Sequence, residues 1–304
     1  MKKAVITGGA GFIGYWTARR LIEEGFEVKI LDNLHTARMS DKIRDLGLDI
    51  IKVDIRDMEA LKNAFEGSDY VLHLAALLSV EESSEKPLLY HEINVTGTLN
   101  VLRAALETGV EKVIYASTAA VYGPSDELPI KEDHPTNPIS FYGVTKLAGE
   151  AYCSLFYRTY GLKTIILRYF NAYGPGQSQE YAGVIKRFIE RIKHGKPPVI
   201  YGDGYQTRDF VHVEDIANAN FIAFISNVDF GIFNIASGKS ITILDLAKMI
   251  LDLMDSNLQP VFAPSRKGDI RHSLADIRKA KEILGFEPQI DLRSGIRKLI
   301  EEGT

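Results

Sequence analysis

One cysteine, Cys153, occurs in a chain of 304 residues, which excludes an internal disulfide and a cluster of thiolate metal ligands. Its neighbours at helical spacing are apolar, so it reads as a small core residue. No apolar run approaches the roughly 20 residues needed to cross a bilayer. The first strand starts within three residues, leaving no room for a signal peptide, and cytoplasmic residence is the expectation. Long basic runs are missing too, and the formal net charge is −4, so a nucleic-acid partner is not expected. His73 has no partner cluster and reads as a packed strand residue, so no metal site is expected. Tandem repeats and low-complexity segments are absent. The composition, 45% hydrophobic and 25% charged, is that of a globular chain with ample core for one large domain or two modest ones.

Chemistry begins at the first turn. An apolar strand, Lys3 to Ile6, runs into closely spaced glycines, and a helical pattern begins at Phe12 and carries on to Gly25. Such a turn suits a pyrophosphate: glycine lets the phosphate approach, and the helix N-terminus offers free N–H groups and positive partial charge. Two spacings fit. Gly9, Gly11 and Gly14 match G-x-G-x-x-G, while Gly8, Gly11 and Gly14 match the wider G-x-x-G-x-x-G. A second strand, Glu27 to Leu31, ends in Asp32-Asn33. Asp32 lies 18 residues after Gly14, near the ~20 expected of the acid that binds an adenosine ribose. Its carboxylate would repel a 2′-phosphate, which favours NAD over NADP.

Further along, Leu48–Val53 reads as a strand ending in Asp54-Ile55, with Asp54 within reach of the adenine amino group. Asp57 can cap a helix from Met58 to Phe65. A strand from Asp69 to Ala76 ends in the small residues that let backbone lie against a cofactor. Leu88–Leu106 reads as one long amphipathic helix with Asn94 as its polar exception. Then come a strand from Lys112 to Ala116, a proline-rich surface loop from Pro124 to Pro138, a helix from Phe141 to Tyr160 and a strand from Lys163 to Tyr169. Alternation of this kind predicts an α/β fold, a doubly wound parallel sheet. Beyond Asn171 the pattern loosens into helices near 184–193, 216–225, 244–253 and 277–284, with short strands near 197–201, 210–213 and 232–235. The expected division is a dinucleotide-binding domain over 1–170 and a discontinuous substrate lobe over 171–304. Segments near 208–235 return to the first domain.

Tyr142 and Lys146 stand four residues apart at a helix start and share one face. A nearby ammonium favours phenolate, and a positive nicotinamide ring would add to this, turning tyrosine into a general base. Thr118, at the end of the preceding strand, can bridge a substrate oxygen to Tyr142.

Together with Thr7–Gly14, Asp32-Asn33, His73–Ala76, Asn94, Ser117–Gly123, Arg168–Asn171 and Thr207–Asp215, these residues resemble the extended short-chain dehydrogenase/reductases, specifically the nucleotide-sugar epimerases. The resemblance covers nearly the whole chain and implies a catalytic set of Thr118, Tyr142 and Lys146. It implies a tightly held NAD on Gly8, Gly11, Phe12, Ile13 and Gly14, with Asp32 and Asn33 at the ribose. Asp54, Ile55, Leu74, Ala75 and Ala76 would follow, then Asn94, Ser117, Lys146 and Tyr169. Tyr142 would take the proton of a sugar 4-hydroxyl as hydride passes to NAD, and the 4-keto sugar would rotate and take it back. Asn171 would contact the sugar nucleotide, Arg208 and Arg266 would clamp its diphosphate, and Asp269 would bind the uridine ribose. Arg271 is a weaker candidate of the same kind. Related 4,6-dehydratases carry Asp-Glu after the threonine, where this chain has Ala119-Ala120, so dehydration lacks its acid and base. Ser273 falls where a glucose-restricted epimerase has tyrosine, leaving room for a 2-acetamido group. The partner implied is a UDP-sugar, and the assembly a homodimer through the helices 88–106 and 141–160.

Overall fold

The computed structural model describes residues 1–177, 183–265 and 270–301. Six strands lie in the first part of the chain: β1 (Lys3–Thr7), β2 (Glu27–Asp32), β3 (Ile50–Lys52), β4 (Tyr70–His73), β5 (Lys112–Thr118) and β6 (Lys163–Tyr169). The helices among them are α1 (Phe12–Glu23), α2 (Ser40–Asp45), α3 (Met58–Phe65), α4 (Val80–Glu85), α5 (Pro87–His91), α6 (Gly97–Glu107) and α7 (Phe141–Tyr160). The remainder runs β7 (Asn171–Tyr173), α8 (Val184–Lys193), β8 (Val199–Tyr201), β9 (Thr207–His212), α9 (Val213–Ile225) and β10 (Phe230–Ile235). It finishes with β11 (Ser240–Thr242), α10 (Ile243–Leu253), β12 (Val261–Ala263) and α11 (Leu292–Glu301).

β1, β4, β5 and β6 are apolar on both faces, as parallel strands covered by helices must be. They form a seven-stranded sheet in the order β10-β6-β5-β4-β1-β2-β3, and every pairing in it is parallel. β1 pairs with both β2 and β4, so the chain winds outward from it in both directions. That reversal opens a crevice at the carboxyl ends of the strands, where doubly wound sheets bind ligands. One face packs Ile6, Leu72, Ile114 and Leu167 under α1 and α9; the other packs Val5, Val71 and Val113 under α3, α6 and α7. β10 belongs to this sheet although it lies late in the chain. A third core, built on Phe188, Ile200, Leu246, Ile250 and Ile296, holds α8, α10, α11 and β8 together.

Several elements differ from expectation. The helix expected over 88–106 is α5, then a π-helical turn at Glu92–Thr96, then α6. The wide turn coincides with Asn94, whose buried amide spans to Leu77 and Thr145. The expected strand over 48–53 covers only Ile50–Lys52, and the expected helix over 277–284 is largely a π-helical turn at Ala280–Leu284.

Candidate active site

A cleft of about 680 Å³ runs along the carboxyl ends of the strands, a volume in the range of ligand sites. At its floor Gly8 has φ +69°, and a Cβ placed there would lie 2.7 Å from the Ala75 nitrogen. A Cβ at Gly14 would lie 2.5 Å from the Gly9 carbonyl oxygen. Gly8, Gly11 and Gly14 line the cleft with Phe12 and Ile13, whereas Gly9 is turned toward Ile30. The wider of the two glycine spacings is therefore the one that faces a ligand. α1 starts without a side-chain cap or an acidic residue in its first turn, so its N–H groups stay available to an anion. The cradle fits a dinucleotide's pyrophosphate.

At the end of β2, Asp32 accepts from the N–H of Ala10 at 3.1 Å and of Leu34 at 2.8 Å. Burial pushes its carboxyl pKa up, and those two bonds oppose the shift. Each oxygen keeps a lone pair for a ribose hydroxyl. Asn33, Asp54 and Ile55 line the same end of the cleft. Arg56 grips Asp54 through Nε at 2.9 Å and Nη2 at 2.8 Å, which holds the carboxyl down at about 2. Leu74, Ala75 and Ala76 form the opposite wall. Asn94 does not line the cleft. Its amide is used inside the fold, accepting from Leu77 N–H at 2.8 Å and donating to Leu77 O and Thr145 Oγ1, both at 3.0 Å. It shapes the wall from behind.

Ser140 caps α7 by accepting from Gly143 N–H at 3.0 Å, which sets Tyr142 and Lys146 in the first two turns, over the end of β5. Ser117, Thr118, Tyr142 and Lys146 all line the cleft. The phenol pKa runs against expectation. Burial pushes Tyr142 up to about 12, opposed by its hydrogen bond with Thr118. Lys146 donates instead to the Ala116 carbonyl at 2.9 Å, and burial draws its ammonium down to about 8. The ammonium is pinned to the strand, so its pull does not offset the phenol's loss of solvent. Tyr169 and Phe170 line the cleft beside them, the Tyr169 hydroxyl donating to Asn220 Oδ1 at 2.6 Å.

Of the residues expected to hold the substrate, Thr118 lines this cleft, whereas Asn171, Arg208, Arg271 and Ser273 are not part of its lining. Asn171 donates to the Asp209 carbonyl at 3.0 Å, and Arg208 to that of Thr207 at 2.8 Å. Ser273 is buried at 8% exposure, two residues from Ala275, which packs with Tyr122 and Phe170. Arg271 is occupied by Asp203 through a fork of 2.7 and 2.9 Å. Arg266 and Asp269 lie outside the described residues. His73, buried in β4, bridges Thr7 Oγ1 at 2.8 Å and Thr98 Oγ1 at 2.9 Å, a packed strand residue. Sequence reasoning missed His35, Thr36 and Arg38 after β2, the segment from Leu77 to Glu81, and Arg187 on α8, all of which line the cleft. The loop after Asp32-Asn33 had a signal in its position at a strand's carboxyl end; Arg187 had none.

A model described as the NAD dependent epimerase/dehydratase family matches residues 4–236. The chain belongs to this family. Like its extended short-chain dehydrogenase/reductase relatives, this epimerase is an NAD-dependent enzyme of the nucleotide-sugar group. It is 36% identical over 310 residues to the UDP-glucose 4-epimerase of Mycolicibacterium smegmatis, covering 98% of this chain and 97% of that one. Among solved structures it resembles the UDP-N-acetylglucosamine 4-epimerase of Methanobrevibacter ruminantium, in complex with UDP-N-acetylmuramic acid, at TM-score 0.94 and 39% identity. The match covers 99% of this chain and 97% of that chain. The Thermus thermophilus UDP-glucose 4-epimerase, in complex with NAD, matches at TM-score 0.89 and 36% identity over 98% of both chains. In the chain itself, the Gly8–Gly14 cradle and the Asp32 carboxylate fit that cofactor. No helix among the described residues is long and apolar enough to cross a membrane.

Proposed function

We propose that this epimerase inverts C4 of a UDP-hexose, interconverting UDP-glucose with UDP-galactose and their 2-acetamido counterparts. The observation that carries the reading is the grouping of Thr118, Tyr142 and Lys146 at one end of a cleft whose other end is the dinucleotide cradle. NAD held in this cleft would supply a reversible hydride acceptor for C4 and a positive charge that favours phenolate. Tyr142 takes the proton of the 4-hydroxyl and later returns it, with Thr118 hydrogen-bonding the same oxygen. Lys146 would hold the nicotinamide ribose. Ser117, Tyr169 and the backbone from Leu74 to Ala76, which line the same cleft, would hold the cofactor. Ala119 and Ala120, next along the chain, offer no second acid or base, which favours epimerisation over dehydration.

The sugar nucleotide would lie between the sheet and the lobe made mainly by 171–304, with 208–235 partly returning to the sheet. Asn171 and Arg208 hold its diphosphate side there, a task for which a planar, permanently charged guanidinium is suited. Arg266 and Asp269 are proposed as further contacts. A second copy of the chain would cover α5 and α7, which leave Leu88, Phe141, Val144 and Leu155 at least half exposed.

The small side chain of Ser273, where a glucose-restricted relative has tyrosine, supports the acetamido part of this reading. Purified protein, given UDP-galactose or UDP-N-acetylgalactosamine without added reductant, is expected to convert both. Ser273→Tyr is expected to lose roughly 100-fold on the acetamido substrate and little on the other, a steric effect of pocket size. Equal losses on the two would remove Ser273 from the specificity argument, and binding of both sugars without conversion would remove the catalytic reading.

A further inference from the structure

Behind the cleft wall an ion pair is buried between α7 and β6. Arg168 donates to Glu150 Oε1 through Nε at 2.9 Å and to Oε2 through Nη2 at 2.6 Å, and both side chains are only 4% exposed. Buried pairs are weak sources of stability, because desolvation offsets the attraction. The placement of this one suggests another use. Glu150 follows Lys146 by one helical turn, so the two share a face of α7. Glu150 Oε1 also accepts from Ser117 Oγ, on the residue just before Thr118. Arg168 just precedes Tyr169, donates to the Glu132 carbonyl at 3.0 Å and lies 4.6 Å from the centre of the Tyr122 ring. The pair thus ties together the three segments that carry Thr118, Lys146 and Tyr169.

We propose that Glu150, clamped by Arg168 and Ser117, is a positioning residue that fixes a negative charge one helical turn from Lys146, whose ammonium the Ala116 carbonyl holds. The groups facing Lys146 leave that part to Glu150. From β5, the Tyr115 ring lies 5.1 Å from Nζ, and burial raises its hydroxyl pKa well above the usual range, so it is neutral. From β4, burial holds the His73 imidazole near 3, also neutral. On α7 itself, burial pushes up both the Tyr142 phenol and the Cys153 thiol. From β6, the Arg168 guanidinium is committed to Glu150, Glu132 and Tyr122. Among the described residues, Glu150 is the carboxylate that opposes the loss of Lys146's proton.

This inference rests on the proposed roles of Tyr142 and Lys146, but its primary readout does not depend on turnover. Protein labelled with ¹³C at lysine Cε, titrated by NMR and assigned with Lys146→Met, reports the midpoint of Lys146 directly. In Glu150→Gln the midpoint is expected to fall by about one pH unit, the shift typical of losing a close counter-charge. The alkaline limb of the turnover profile should move the same way. Glu150→Gln/Arg168→Leu removes both charges, a change that buried pairs often tolerate, and should also lower the midpoint. An unchanged midpoint in either folded variant overturns the proposal, and failure of both to fold assigns the pair to structure alone. Wild-type protein that titrates as described but converts no sugar nucleotide would overturn the functional reading instead.

Discussion

Tyr142→Phe is expected to lower epimerase turnover by about 1,000-fold, within the 10²–10⁴ range of positioned acid–base catalysis. In the proposed mechanism the Tyr142 phenol, lining the cleft with Thr118, accepts and returns the 4-hydroxyl proton. Phenylalanine keeps the ring and its packing while removing only that function. NAD content after purification and the melting temperature should therefore match the wild type. Steady-state rates with UDP-galactose, paired with release of bound NAD by acid and its quantitation, check both halves. Turnover within tenfold of wild type would show that another group moves the proton.

The second large effect falls at the other end of the cleft. Gly8→Ala is expected to lower NAD affinity by at least about 100-fold and to yield protein largely free of the cofactor. Two effects arise, the first on stability and the second on affinity. A non-glycine residue held at φ +69° costs about 1–3 kcal/mol, and the new methyl would sit 2.7 Å from the Ala75 nitrogen, on the opposing wall of the cradle. Relief of that contact spreads the very walls that grip the cofactor. Gly25→Ala supplies the control, because Gly25 has φ +78° and nothing within 4 Å of the point where its methyl would stand. It should lose stability without losing NAD. Calorimetric titration of both variants with NAD measures the difference, and equal affinities would mean that the Gly8 contact carries no binding role.

What the sequence disclosed was whatever depends on spacing along one element. Gly8, Gly11 and Gly14 around a strand–helix turn, Asp32 at the end of β2, and Tyr142 with Lys146 one turn apart are local patterns, and all line one cleft. The parallel sheet was legible for the same reason, since its strands are short apolar runs separated by helices. Relations between distant elements were not. Two glycine spacings fitted the first turn, and only the approach of Ala75 and Ile30 distinguishes the glycines that face the ligand from Gly9. Asn94 stood out as a polar residue on an apolar helix, but its partners Leu77 and Thr145, 17 and 51 residues away, were not legible. The ammonium–phenol argument used proximity in sequence, whereas burial dominates both groups and the Ala116 carbonyl holds the ammonium. Glu150 and Arg168 could have been suspected as charges on otherwise apolar faces, but not paired. α11 escaped notice because its few apolar positions, Ile296 and Leu299 among them, gain meaning only from the core they enter.

The central claim is that hydrogen leaves C4 of the sugar and returns to the same carbon within one active site. UDP-galactose carrying deuterium at C4, incubated with purified protein and no added nicotinamide or reductant, tests it directly. The account predicts UDP-glucose that retains deuterium at C4, with none released to water. Product in which that deuterium has been replaced by solvent hydrogen would contradict it.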